Sequence, residues 1–140
     1  MLYSYYNNAG QRSVLRKADG MMADFVKLTE DDDCISVIFD IEDETVMALG
    51  DRLAESCEDA YMNGYGWDAL LTCYLQNNAE SLLEGLESDP EAGMYAAYYE
   101  ANDENRARAQ ALAELIGDLV EDGEKLCAFV EKYGSEIEWD

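Results

Sequence analysis

A chain of 140 residues, 49% of them apolar, is of one-domain size and can bury an ordinary core without disulfides or metal clips. Nine Lys and Arg stand against 32 Asp and Glu, so the net charge is −23, with no His to titrate near neutrality. A field of that sign repels nucleic-acid phosphates and anionic membranes, which removes both from the partners to consider.

The charge is uneven. Residues 1–20 carry Arg12, Arg16 and Lys17 against Asp19, a net +2, which leaves six basic and 31 acidic residues, net −25, in residues 21–140. Residues 1–20 are rich in Tyr and Asn and show no sustained period. They read as a poorly ordered N-terminal extension, and residues 21–140 as a single α+β domain.

The first element is the short apolar run Phe25 to Leu28, closed by the polar turn Thr29–Asp33. Ile35, Val37, Phe39 and Ile41 then alternate with Ser36, Ile38 and Asp40, a period of two, so the pair predicts an antiparallel hairpin. Helical spacing takes over in residues 44–61, where Val46, Leu49, Gly50, Leu53, Cys57, Ala60 and Tyr61 form one stripe. Glu42, Asp43 and Glu44 suit its start, where negative charge meets the positive end of the helix dipole. Asn63-Gly64-Tyr65-Gly66 breaks the stripe as a connector between helices. A second helix opens at Trp67, with Asp68 in its first turn and Trp67, Leu70, Leu71, Tyr74 and Leu75 facing inward.

Leu82 to Ser88 and Met94 to Glu100 predict a second hairpin around Asp89-Pro90-Glu91-Ala92-Gly93. There Pro90 can preset the turn and Gly93 can take positive φ. Asn102 caps a third helix whose inward face is Ala109, Leu112, Ala113, Ile116 and Leu119. Asp122-Gly123 separates it from a last helix marked by Leu126, Phe129, Val130 and Tyr133. Strand pairs grouped apart from helix pairs indicate an α+β fold, an antiparallel sheet from two β-hairpins packed against about four helices.

Little of this pattern carries reaction chemistry. Gly64-Tyr65-Gly66 follows a helix instead of a strand, lacks a third glycine, and has no Lys and Ser/Thr of a phosphate loop. Asp31, Asp32 and Asp33 lack the spaced ligands and central glycine of a calcium loop and read as a solvated turn. Cys34, Cys57, Cys73 and Cys127 include no C-x-x-C pair, and without His there is no zinc pattern. Ser-His-Asp and Cys-His catalysis are unavailable for the same reason. No cofactor, metal or catalytic residue is assigned, and no reaction is expected. Charge-free runs reach only residues 1–11 and 69–79, too short to span a bilayer, so a reduced cytoplasmic protein fits.

Ten tyrosines and two tryptophans resemble the anchors of binding surfaces. Trp67, Tyr74, Tyr98 and Tyr133 fall on inward faces, whereas Tyr3, Tyr5, Tyr6 and Trp139 lie near the ends of the chain. The acidic charge has two readings, plain solubility or steering of a basic partner.

The motifs carry a resemblance. Gly64-Tyr65-Gly66-Trp67-Asp68 followed by Leu70-Leu71 is similar to the glycine- and tryptophan-containing helix start of the Immunity protein 51 family. Asp89-Pro90-Glu91-Ala92-Gly93-Met94 is similar to that family's hairpin, and Phe25 to Leu28 stands where the family has it. The resemblance spans roughly Ala23 to Val130. It implies a cytoplasmic antidote of a bacterial polymorphic toxin system, which binds a cognate toxin and blocks it with no reaction of its own. Gly64, Gly66, Trp67, Asp68, Asp89, Pro90 and Gly93 are then structural.

Combined with the charge, the expected mechanism is occlusion of a basic toxin cleft by a carboxylate-rich face with one or two aromatic anchors. Candidate contacts are Asp31, Asp32 and Asp33; Glu55, Glu58 and Asp59; and Glu136, Glu138 and Trp139. An acidic nucleic-acid mimic that binds basic proteins through charge alone is the alternative. An enzyme built on carboxylates is a third reading.

Overall fold

The computed structural model describes residues 24–58, 60–137 and 139. The expected extension over residues 1–20, together with Asp59 and Glu138, lies outside the described residues. In chain order the elements are β1 (Val26–Glu30), β2 (Cys34–Asp40), α1 (Glu44–Ser56) and α2 (Gly64–Asn78). A 3₁₀ turn (Glu80–Leu83), β3 (Glu87–Ser88), β4 (Met94–Glu100), α3 (Asp103–Glu121) and α4 (Gly123–Tyr133) follow.

The four strands form one antiparallel sheet in the order β1-β2-β4-β3. Its register follows from the alternation in β2: Ile35, Val37 and Phe39 pair with Tyr99, Ala97 and Tyr95, and all six are buried. The helices cover that face. Trp67 of α2 meets the Phe39 ring edge-on at 5.0 Å, and α3 packs along β1, β2 and β4. The fold is α+β, with the sheet in one layer and the helices in the other.

Local signals explain most boundaries. Asp31 Oδ1 accepts the amides of Asp33 and Cys34, so the acidic turn between β1 and β2 is shaped by its own side chain. Asp43 caps α1 through the Thr45 amide, and Asn102 caps α3 through the Asn105 amide. Asn105 is a buried polar residue with its groups paired, its Nδ2 donating to the Glu100 carbonyl and its Oδ1 accepting from Arg108. Arg106 grips Glu30 across to β1 at 2.8 Å, but both side chains are well exposed, so solvent holds the pair's contribution below about 1 kcal/mol.

Four expectations are corrected. α1 stops at Ser56 instead of continuing to residue 61. Its C-terminal end carries acids and no base, the wrong sign for the dipole there, and Tyr61 leaves the stripe to stand 75% exposed. Residues 82–88 are not a full strand: β3 keeps only Glu87 and Ser88, because Leu82 is held in the 3₁₀ turn by the Tyr99 hydroxyl, which donates to its carbonyl at 2.6 Å. Gly85, at φ +76°, then re-aims the chain into β3. Tyr98 is not core. The register puts it on the uncovered face opposite Ser36, while Tyr95 and Tyr99 take the buried positions. Tyr133 is likewise only half-buried at the end of α4, whereas Trp67 and Tyr74 are buried as expected.

No described helix is long and apolar enough to cross a membrane.

Candidate partner-binding site

The two glycine motifs meet in space. α2 begins at Gly64, three residues earlier than the Trp67 start read from the sequence, because Asn63 caps it through the Gly66 amide at 2.9 Å. The Gly64 amide donates to the Ala92 carbonyl at 3.0 Å, and a Cβ on Gly64 would overlap the carbonyl oxygens of Glu91 and Met94. A Cβ on Gly66 would overlap the Tyr61 carbonyl. The first turn of α2 is therefore wedged between two backbone segments, and only hydrogen fits at both positions.

The opposite wall of this wedge is the turn into β4. Glu91 and Met94 exchange backbone hydrogen bonds of 2.8 and 3.2 Å, and the Asp89 amide donates to the Ala96 carbonyl at 2.8 Å. Pro90, half-buried, precedes the tight turn. Gly93 does not adopt positive φ, contrary to the expectation; a Cβ there would instead press on the Glu42 carboxylate at 2.9 Å. That side chain is exposed and free to swing aside, so neither handedness nor room requires glycine here.

What the wedge presents is aromatic and acidic. Trp67 points into the core, 1% exposed, while Tyr61 and Tyr65 stand out at 75% and 42%. Past Tyr65, residues at helical spacing of three and four form an outward stripe, which walls an open cleft of about 390 Å³. Its lining includes Tyr65, Asp68, Thr72, Cys73 and Gln76 from α2 and Glu136 from beyond α4. Tyr74 meets Phe129 edge-on at 4.9 Å and Phe129 packs on Tyr133 at a tilt, centroids 4.6 Å apart, holding the end of α4 against α2. Ile137 is buried and the Trp139 indole donates to the Gly134 carbonyl at 3.1 Å, which folds the following segment back so that Glu136 reaches the cleft.

The cleft is electronegative. Among the described residues its charged lining is Asp68 and Glu136, with no Lys or Arg. Asp68 Oδ1 is sealed from solvent with no hydrogen-bond partner, as is the neighbouring Trp67 Nε1. Burial, and then the Glu136 carboxylate, push the Cys73 thiol above its ordinary range, so it stays protonated and is a poor nucleophile. Burial, followed by the Asp68 charge, likewise raises Tyr95. Among the described residues no group of three His, Cys, Asp or Glu side chains is arranged to hold a metal ion.

The sequence profile of Immunity protein 51 matches residues 26–135, which is most of the chain. The chain belongs to the Immunity protein 51 family. Neither the curated proteins nor the solved structures contain a match to it. The family span holds the whole sheet, all four helices and both glycine motifs, and it runs five residues past the Val130 limit read from the sequence. It ends one residue before Glu136, so the far wall of the cleft lies outside the family match.

The other acids read from the sequence lie in separate places. Asp31, Asp32 and Asp33 are exposed in the β1–β2 turn beside the start of α3, where the Ala101 amide donates to the Asp33 carbonyl at 3.1 Å. Glu55 and Glu58 are exposed around the end of α1. That end adjoins the end of α4, since a Cβ on Gly134 would sit 3.0 Å from Cys57 Sγ. Trp139 is half-buried by its indole hydrogen bond instead of standing free. Sequence reading missed Tyr61, which it placed on an inward stripe, and the outward stripe from Tyr65 to Gln76. The spacing of that stripe was legible in α2. Its pairing with Glu136 was not.

Proposed function

We propose that this protein is a cytoplasmic antidote that binds a cognate toxin and occludes its active site, with no reaction of its own. The family match supports the immunity role, and what carries the choice of surface is Tyr65 at the acidic cleft, with Tyr61 exposed in the loop that leads into α2. Tyr65 on the wedged first turn of α2 and Tyr61 in the loop before it are exposed aromatics of the kind that dominate protein interfaces. The acids around them steer a basic toxin surface toward that face and raise the association rate. On this reading Gly64, Gly66 and Trp67 mount the anchors and take no part in contact.

A tagged pull-down from the native host, run at low and at high salt, tests this reading. The expected result is one dominant stoichiometric partner retained at high salt, with a toxic activity that this chain suppresses when the two are mixed. Many basic proteins that wash off with salt would overturn it in favour of a nucleic-acid mimic acting through charge alone. Turnover of a substrate by the isolated chain would overturn the absence of a reaction.

A further inference from the structure

We infer that the surface where the loop before α2 sits on α1 docks an apolar side chain of the toxin flanked by Lys or Arg, which deepens the proposed function and rests on it. Among the described residues three large hydrophobic side chains stand exposed: Met47 of α1, at 56%, Tyr61 of the loop, and Tyr65 in the first turn of α2. The first two of these elements touch. A Cβ on Gly50 would lie 3.2 Å from Met62 Cβ, so the side chain that Gly50 lacks leaves a notch for the loop. Met47 and Ala54, three before and four after Gly50 on one flank of the helix, are exposed beside that notch. Met47, Ala54 and the half-buried Met62, with Tyr61 next to it in the chain, form an apolar patch of the kind that marks a protein interface.

The rim decides the chemistry of the partner. Glu44 and Asp51 lie three before and four after Met47, so exposed carboxylates bracket it along its own helix. Arg52, the one basic residue of α1, is turned to the other side, where a Cβ on Gly123 of α4 would meet its guanidinium at 3.0 Å. This flank of α1 therefore joins an apolar centre to charge of one sign, and a covering side chain gains most when its neighbours are cations. A second copy of the chain does not suit, because a two-fold contact through Met47 sets Glu44 and Asp51 against their own equivalents. Methionine suits the task, since its unbranched thioether reshapes around an incoming apolar group. The Asp31–Asp33 turn offers carboxylates alone, with no exposed large hydrophobic side chain among them.

The test needs no toxin, so its failure is separate from failure of the antidote reading. The full chain, isotope-labelled at its methionine methyl groups, is titrated by NMR with the amidated, N-acetylated tripeptide Lys-Leu-Lys. The controls are Glu-Leu-Glu, which reverses the charge, and Lys-Ser-Lys, which removes the apolar side chain. Lys-Leu-Lys is expected to shift the Met47 and Met62 methyls saturably, with a Kd on the order of millimolar. Met94, which the strand register puts on the sheet face away from the helices, should stay in place, and Glu-Leu-Glu should move nothing. Met47→Ser and Asp51→Lys are each expected to weaken binding by at least about threefold, read from Met62. Both positions are exposed, so these variants keep the fold. Binding of Lys-Ser-Lys as tight as that of Lys-Leu-Lys, shifts that reach Met94 equally, or a titration unchanged in both variants would overturn the inference. Met47 shifts on dilution of the chain alone would overturn it in favour of a second copy. Met47 shifts on combined Arg12→Gln, Arg16→Gln and Lys17→Gln substitution, without probe, would overturn it in favour of the chain's own basic segment.

Discussion

The amide of Gly64 donates to the carbonyl of Ala92 at 3.0 Å, so the first turn of α2 lies backbone to backbone against the turn into β4. The two residues are 28 positions apart in sequence and belong to the two segments in which the family resemblance is most specific. This contact converts a pair of short motifs into one rigid mount. The mount's outer surface carries Tyr65 and the acidic cleft, and Tyr61 stands exposed in the loop just before it.

Gly64→Ala should therefore be among the most damaging single-methyl changes in the chain. The added carbon overlaps the Glu91 and Met94 carbonyl oxygens, and neither backbone can retreat without breaking the turn. The expected loss is about 3 kcal/mol or more, the upper range for overpacking, read from chemical denaturation midpoints. Gly117 is the internal control, since a Cβ there meets nothing within 4 Å. As a mid-helix glycine in α3, its replacement by Ala should stabilise by about 0.5–1 kcal/mol.

Tyr99→Phe removes the hydroxyl that holds the Leu82 carbonyl and leaves that buried acceptor unpaired. A loss of about 1–3 kcal/mol is expected.

Alkaline pH should act through the same residue. Burial, opposed only by the Arg108 charge, lifts the Tyr99 hydroxyl to about 12, above the ordinary tyrosine value near 10. The folded state then keeps a proton that the unfolded chain releases. The stability this supplies is fully present below about pH 10 and drains away as pH rises through about 12. Tyr95 is raised in the same direction and adds to the effect. Thermal melts from pH 8 to 11.5 should show a flat region and then a falling one, and Tyr99→Phe should fall less steeply above pH 10. An unchanged slope in the variant would contradict this assignment.

Tyr61→Ala and Tyr65→Ala separate binding from folding. Tyr61 is 75% exposed, so its removal should change stability by less than about 0.5 kcal/mol. Toxin affinity should fall by about tenfold or more for each variant, mostly through faster dissociation, as measured by surface plasmon resonance. Affinities equal to the parent's would move the interface elsewhere.

Much of the fold was legible because its signals are local. The β2 alternation, the Asn102 cap and the Asp122-Gly123 break all lie within a few residues of what they determine. Tyr98 was misplaced because MYAAYYE puts aromatics on both parities of β4, and only pairing with β2 decides which parity is buried. The full strand expected at residues 82–88 failed for a similar reason: Tyr99, 17 positions away, captures the Leu82 carbonyl. The site was the least legible part. Its far wall, Glu136, is delivered by the Tyr74–Phe129–Tyr133 ring cluster and the Trp139 hydrogen bond, neither of which leaves a periodic trace.

Growth rescue tests the central claim most directly. The toxin captured by this chain is expressed in a sensitive bacterium alone, with the parent chain, and with the Tyr61→Ala, Tyr65→Ala double variant, and surviving colonies are counted. The parent should restore growth to that of cells without toxin, and the folded double variant should protect far less. Full killing in the presence of the folded parent chain would contradict the antidote reading.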